Sequence, residues 1–128
     1  MFFVSLTAPA NNSALTTRQP PFDVRGVVAA IQNSPAGWVL PTPFPQAEVD
    51  LVRLASDPRV PRPGPAFLRL GTRSSPTPPG QDAAIATGVD LAALGVTAGV
   101  YQLQLRWSIA PGAFAISRRF LTVPQRIL

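Results

Sequence analysis

The clearest pattern in the chain is a strict alternation of apolar and polar residues over positions 101–109. Every second residue is apolar, and the four residues between them are polar: Tyr101, Leu103, Leu105, Trp107 and Ile109 alternate with Gln102, Gln104, Arg106 and Ser108. Successive side chains of a β-strand point to opposite faces, so this pattern predicts a strand with one face in a core and the other in solvent. Strands of parallel sheets are usually covered on both faces, so the alternation also indicates an antiparallel sheet.

Shorter patterns of the same kind predict the other strands. They cover residues 2–6, 22–31, 47–55, 66–72, 83–91 and 114–123. Turn-forming residues and proline-rich segments separate them, and proline cannot donate a hydrogen bond to a central strand. About seven short strands separated by such turns and loops predict an all-β fold, namely an antiparallel β-sandwich with proline-rich loops. No linker is long enough to divide the chain, so residues 1–128 are predicted to form a single domain.

Two stretches resemble immunoglobulin-like (Ig-like) domains. Residues 97–103, with the sequence TAGVYQL, are similar to the Gly-x-Tyr-x-apolar motif at the beginning of the penultimate strand of such domains. Residues 8–15 followed by 21–26 resemble the opening of bacterial Ig-like and cadherin-like modules. The resemblance implies an Ig-like sandwich in which the hydroxyl of Tyr101 bonds back to nearby backbone as a tyrosine corner. The cysteine pair of many immunoglobulin domains and the acidic calcium motifs of cadherins are absent, so the resemblance implies no calcium dependence.

The residue types that most enzymes use for acid–base and nucleophilic chemistry are missing, since the chain has no Cys, His or Lys. Such chemistry would fall to six carboxylates and one tyrosine. Glu48 and Asp50 share one face of a predicted strand, where they could bind a hard cation or act as a carboxylate dyad. The favoured interpretation is a solvated face that pairs with arginines from a neighbouring strand. We therefore expect a protein that is not an enzyme and that uses no cofactor and no metal.

The positive charge of the chain is carried entirely by arginine. The net charge is +5 and the isoelectric point is near 11.6. Arginine binds phosphate well, but these residues are scattered, and no stretch resembles an RNA-recognition or helix-turn-helix motif. Nucleic acid is therefore not expected as the main ligand, whereas an acidic protein surface would match the same charge.

Apolar residues occur where the outer face of a sheet is usually polar. Val27, Ala29 and Ile31 stand at such positions in one predicted strand, and Val52 and Leu54 in another. A two-layer sandwich buries one face of each sheet, so surplus apolar positions indicate contacts with another protein. The alternative is that a proline-rich segment such as residues 38–46 folds over this face. The same five residues and Trp38 are the candidate partner-binding residues.

These observations predict a structural or accessory subunit of a larger protein assembly, such as a virion or an injection-like particle. It would act through a protein partner or as a homo-oligomer. One alternative is a carbohydrate- or polymer-binding module that uses Trp38, Phe44 and Phe67 as an aromatic platform. A further alternative is an arginine-mediated nucleic-acid binder.

Targeting signals are missing from the sequence. No apolar run approaches the roughly 20 residues that span a bilayer, and the first residues lack the charged start of a secretory signal. We therefore expect that the protein is made in the cytoplasm. Under the leading hypothesis it is then incorporated into a virion or particle.

Overall fold

The protein is described from a computed structural model, which covers residues 2–30, 46–77, 81–110 and 113–124. These residues form eight strands: β1 Phe2–Ala8, β2 Ser13–Ala14, β3 Phe22–Ala30, β4 Ala47–Ser56, β5 Phe67–Arg73, β6 Ala83–Val89, β7 Gly99–Ala110 and β8 Ala113–Val123. The all-β prediction is confirmed, and each predicted strand overlaps an observed one. The two-residue strand β2 has no signal in the sequence, because two residues are too few to show a period. Within the described ranges there is no helix of the length and apolarity needed to cross a membrane.

The strands form two sheets. One has three strands in the order β1–β3–β6, and the other has five in the order β2–β8–β7–β4–β5. Every pair is antiparallel except β2–β8, which is parallel. β7 lies in the middle of the five-stranded sheet, with β4 on one side and β8 on the other.

The inner face of β7 forms the centre of the core. Tyr101, Leu103, Leu105 and Trp107 are all buried, as the alternating pattern predicts. They belong to one apolar cluster with side chains from the three-stranded sheet, among them Leu6, Val24, Val28, Ile85 and Val89. The two sheets therefore pack face to face around a shared core, in a sandwich-like arrangement.

Glycine lets the two sheets approach closely at their edges. A β-carbon at Gly71, on the edge strand β5, would lie 2.5 Å from the carbonyl oxygen of Ile85 on β6. Backbone cannot yield easily to such a contact, so only glycine fits this position without a shift of β5 relative to β6.

Hydrogen bonds around Thr97 hold the proline-rich loop that follows β4. The hydroxyl of Tyr101 donates to the carbonyl oxygen of Thr97 at 2.6 Å. The amide of Gly64 donates to the side-chain oxygen of Thr97 at 3.1 Å, and the guanidinium of Arg53 donates to the carbonyl oxygen of Gly64. The loop is thus connected through Thr97 to the start of β7.

Replacement of Gly71 by alanine is expected to lower the free energy of unfolding by about 1–3 kcal/mol, because the added methyl group must displace backbone. Urea denaturation measures the effect. Thr72→Ala, at the next and exposed position of β5, is the control and should change stability by less than about 0.5 kcal/mol. Equal stability of the two variants would contradict the close packing of β5 against β6.

Candidate functional site

The candidate site is the outer face of the five-stranded sheet, which is the face turned away from the core. Its side chains alternate along each strand with the buried ones, and the strand register places them in rows across the sheet. We call this surface the outer face; its members are Glu48, Asp50, Val52, Leu54, Phe67, Arg69, Thr72, Val100, Gln102, Gln104, Arg106, Ser108, Phe114, Ile116, Arg118, Phe120 and Thr122.

One end of the outer face is apolar. Phe120 and Phe67 stand at the two ends of a row whose middle positions are Gln102 and Val52. The side chains of Phe67 and Phe120 are 54% and 43% exposed, and Leu54, at the bulge where β4 and β7 shift register, is 50% exposed. Large apolar side chains clustered on one face of a sheet mark a surface suited to contact with another protein.

An open groove of about 500 Å³ adjoins this apolar end. It is lined mainly by residues 55–59, by Gly99 and Val100, and by residues 122–124. The hydroxyl of Ser56 is buried and has no hydrogen-bond partner among the described residues. The groove extends the apolar end beyond the last row of the sheet.

The middle of the outer face carries an ion-pair cluster. Arg69 on β5 lies 3.1 Å from the carboxylate of Glu48 and also contacts the carboxylate of Asp50, which is only 6% exposed. The hydrogen bond with Asp50 raises the pKa of Arg69 above its usual value. This is the pairing with an arginine of a neighbouring strand that the sequence favours for Glu48 and Asp50. No group of three or more potential metal-ligating side chains occurs in the described part of the chain.

The β8 side of the outer face carries arginines without carboxylate partners. The guanidinium of Arg106 stacks over the ring of Phe114, 4.6 Å from its centroid. Arg118 stands opposite Gln104, whose amide donates to the side chain of Gln102 at 2.7 Å. Neither arginine forms a salt bridge with any described carboxylate.

The carboxylates elsewhere are also engaged within the chain. Asp82 binds Arg25 at 3.2 Å and the hydroxyl of Thr7 at 2.6 Å, and these contacts lower its pKa. Asp57 binds Arg59 at 2.8 Å. Asp23 and Asp90 accept hydrogen bonds from the backbone amides of Gly88 and Ala93. The negative charge of the chain is therefore used internally, and the unpaired charge on the outer face is positive.

The predicted partner-binding residues are divided between two surfaces. Val27 and Ala29 on β3 are partly buried and lie on the outer side of the three-stranded sheet. Val52 and Leu54 lie at the apolar end of the outer face, while Ile31 and Trp38 are outside the described residues.

The sequence shows that Phe114, Ile116 and Phe120 compete with Ala115, Leu121 and Val123 for the core, but it leaves open which of the two sets is buried. Both faces of this strand are apolar, and burial of Leu121 and Val123 leaves Phe114, Ile116 and Phe120 on the outer face. Arg118 and Arg119 stand on opposite faces of the strand, so the charged residues give no signal for which face is buried.

Comparisons of the chain with protein-family models, with curated proteins and with solved structures find no match.

Removal of Arg69 is expected to destabilise the protein. Arg69→Met leaves the buried carboxylate of Asp50 without its cation, which should lower the free energy of unfolding by about 2 kcal/mol. This loss is smaller than the loss for a fully buried ion pair because Arg69 is partly exposed. The double variant Asp50→Asn, Arg69→Met should recover part of the loss, since the buried charge is removed and the carboxylate of Glu48, the other partner of Arg69, is partly exposed. Additive losses in denaturant unfolding would show that the two residues are not coupled.

The contact between Asp57 and Arg59 predicts that the Asp57 carboxyl has an unusually low pKa. The hydrogen bond from the Arg59 side chain, with a further one from its backbone amide, lowers the pKa of Asp57 to about 2. A pKa lowered by folding favours the folded state above pH about 4, and this contribution disappears as the pH falls through about 2. NMR titration of the Asp57 carboxyl should give a midpoint near this value, and Arg59→Gln should raise it. An unchanged midpoint in the variant would contradict the assignment.

Proposed function

We propose that the protein is a non-catalytic structural or accessory subunit of a larger protein assembly and that it binds its protein partner through the outer face. The observation that carries the proposal is the exposure of Phe67, Phe114 and Phe120 on one sheet face together with unpaired Arg106 and Arg118. Exposed aromatic and arginine side chains are enriched where proteins bind one another. An isolated soluble domain has no need of such a surface.

We also infer an Ig-like arrangement of the strands. The order β1–β3–β6 in one sheet and β8–β7–β4 in the other supports it, because Ig-like sandwiches place the first, second and fifth main strands together and the third, sixth and seventh together. The hydrogen bond from Tyr101 to the backbone of Thr97 supports it further. Ig-like domains of this kind resemble those that decorate phage heads and tails, so a virion or an injection-like particle is the proposed setting.

The carbohydrate-binding alternative has less support. Of its proposed platform, Trp38 and Phe44 lie outside the described residues. Phe67 already has the guanidinium of Arg69 5.9 Å from its ring centroid. The outer face, in contrast, combines several aromatic side chains with unpaired cations.

Replacement of Phe120 by glutamine is expected to reduce binding of the partner about tenfold or more, because Phe120 supplies apolar contact area at one end of the outer face. Co-sedimentation of the tagged chain with its partner particle from the native host measures the effect. Val27→Thr, on the other sheet and nearly equal in volume, is the control and should bind within about twofold of the unaltered chain.

Two results would overturn the proposal. One is an unaltered chain that sediments as a monodisperse monomer and joins no particle in its native host. The other is a loss of co-sedimentation in Val27→Thr with full retention in Phe120→Gln, which would place the contact on the three-stranded sheet.

A further inference from the structure

Two arginines on the outer face stand close together without a shared carboxylate. Arg118 pairs across the strands with Gln104. Arg106 lies between Ile116 on β8 and Glu48 on β4, and the carboxylate of Glu48 is bound by Arg69. Arg118 and Arg106 are therefore diagonal neighbours on the same face, roughly 7–8 Å apart between backbone positions. Like charges at this spacing repel each other unless an anion lies between them, so the pair is suited to an acidic ligand.

The stacking of Arg106 on Phe114 fixes its orientation. The Cζ atom of its guanidinium lies over the ring of Phe114, 4.6 Å from the ring centroid. A cation that stacks in this way keeps the N–H groups at its edge available, and these match the two oxygens of a carboxylate. Phe114 thus orients the guanidinium of Arg106 and leaves its N–H groups available to an anion.

Apolar side chains of β8 lie next to both cations. The outward residues of this strand are Phe114, Ile116, Arg118, Phe120 and Thr122 in sequence, and Arg106 on β7 stands opposite Ile116, so apolar and cationic groups are mixed at the spacing of a strand. A ligand that matches this surface must present both carboxylates and apolar side chains.

We propose that the surface formed by Arg106, Phe114, Ile116, Arg118 and Phe120, which we call the β8 strip, binds an acidic segment of a protein partner. The inference rests on the proposed function and names the partner chemistry of the same face. Carboxylates of the segment bond to Arg106 and Arg118, and its apolar side chains pack on Phe114, Ile116 and Phe120.

The charge of the outer face favours an acidic segment of a partner over a second copy of the chain. The carboxylates of the outer face, Glu48 and Asp50, are both bound by Arg69. Two copies stacked through this face would bring their unpaired arginines together with no free carboxylate to meet them. Nucleic acid also supplies anions, but its phosphate backbone offers no aliphatic side chains to pack on Ile116 between the phenylalanines.

Synthetic peptides test the proposal directly. The probes are an eight-residue peptide of alternating Glu and Leu, its Lys–Leu and Glu–Ser counterparts, and a single-stranded oligothymidine, each titrated into the full chain and followed by NMR. We expect the Glu–Leu peptide to bind and to shift the signals of the β8 strip. The other three probes should bind at least about tenfold more weakly, since each lacks either the carboxylates or the apolar groups.

Matched charge reversals separate local recognition from net charge. Arg118→Glu should weaken binding of the Glu–Leu peptide by about tenfold or more. Arg18→Glu alters the net charge equally at an exposed position between β2 and β3, and it should bind within about twofold of the unaltered chain. Circular dichroism and thermal unfolding verify that both variants are folded.

The proposal is overturned if the Glu–Leu peptide does not bind, if the Lys–Leu peptide or the oligothymidine binds as well, or if both charge reversals weaken binding equally. These outcomes are distinct from failure of the proposed function. If Phe120→Gln loses the partner particle but Arg118→Glu retains it, the outer face is the binding surface and the partner is not acidic at this strip. If neither variant affects the particle, the proposed function itself is wrong.

Discussion

The burial of the inner face of β7 is the constraint on which the other features depend. Trp107 and Tyr101 are the largest fully buried side chains of the described core, and Leu103 and Leu105 lie between them. A register slip of one residue would replace them with Gln102, Gln104 and Arg106, so the strand has only one acceptable orientation. β4 and β8 both pair with β7 and take their registers from it. The composition of the outer face is therefore a direct consequence of what β7 must bury.

Internal use of the carboxylates gives this face its charge. The few acidic side chains bind arginines or backbone amides, and Arg69 alone engages two of them. Because arginines outnumber carboxylates, some guanidinium groups have no carboxylate partner and contact other groups instead. Arg106 stacks on Phe114, and Arg119 donates to the carbonyl oxygen of Leu6 on the edge of β1. Among the described residues Arg118 has neither kind of contact, and it stands between Ile116 and Phe120 on the outer face. The proposed interaction surface follows from this distribution of charge.

How much the sequence predicts depends on how distinct the two faces of each strand are. β7 has one apolar and one polar face, so its buried side is predicted correctly from alternation alone. β8 is apolar on both faces, and only its pairing with β7 decides that Leu121 is buried and Phe120 exposed. The identity of the arginine that binds Glu48 and Asp50 depends on the register of β5, which shifts between Val49 and Asp50. The close approach at Gly71 depends on the distance between two sheets. Such features arise from tertiary structure, and no local pattern encodes them.

Site-specific photo-crosslinking can detect whether a protein partner covers the outer face of the five-stranded sheet. A photoreactive phenylalanine analogue at Ser108, which is exposed on β7 opposite Phe114, samples this face. The same analogue at Val27 samples the outer side of the three-stranded sheet. If the partner lies on the outer face, we expect efficient cross-links to one partner protein from position 108 within the native particle and few from position 27. Cross-links from position 27 alone would contradict it.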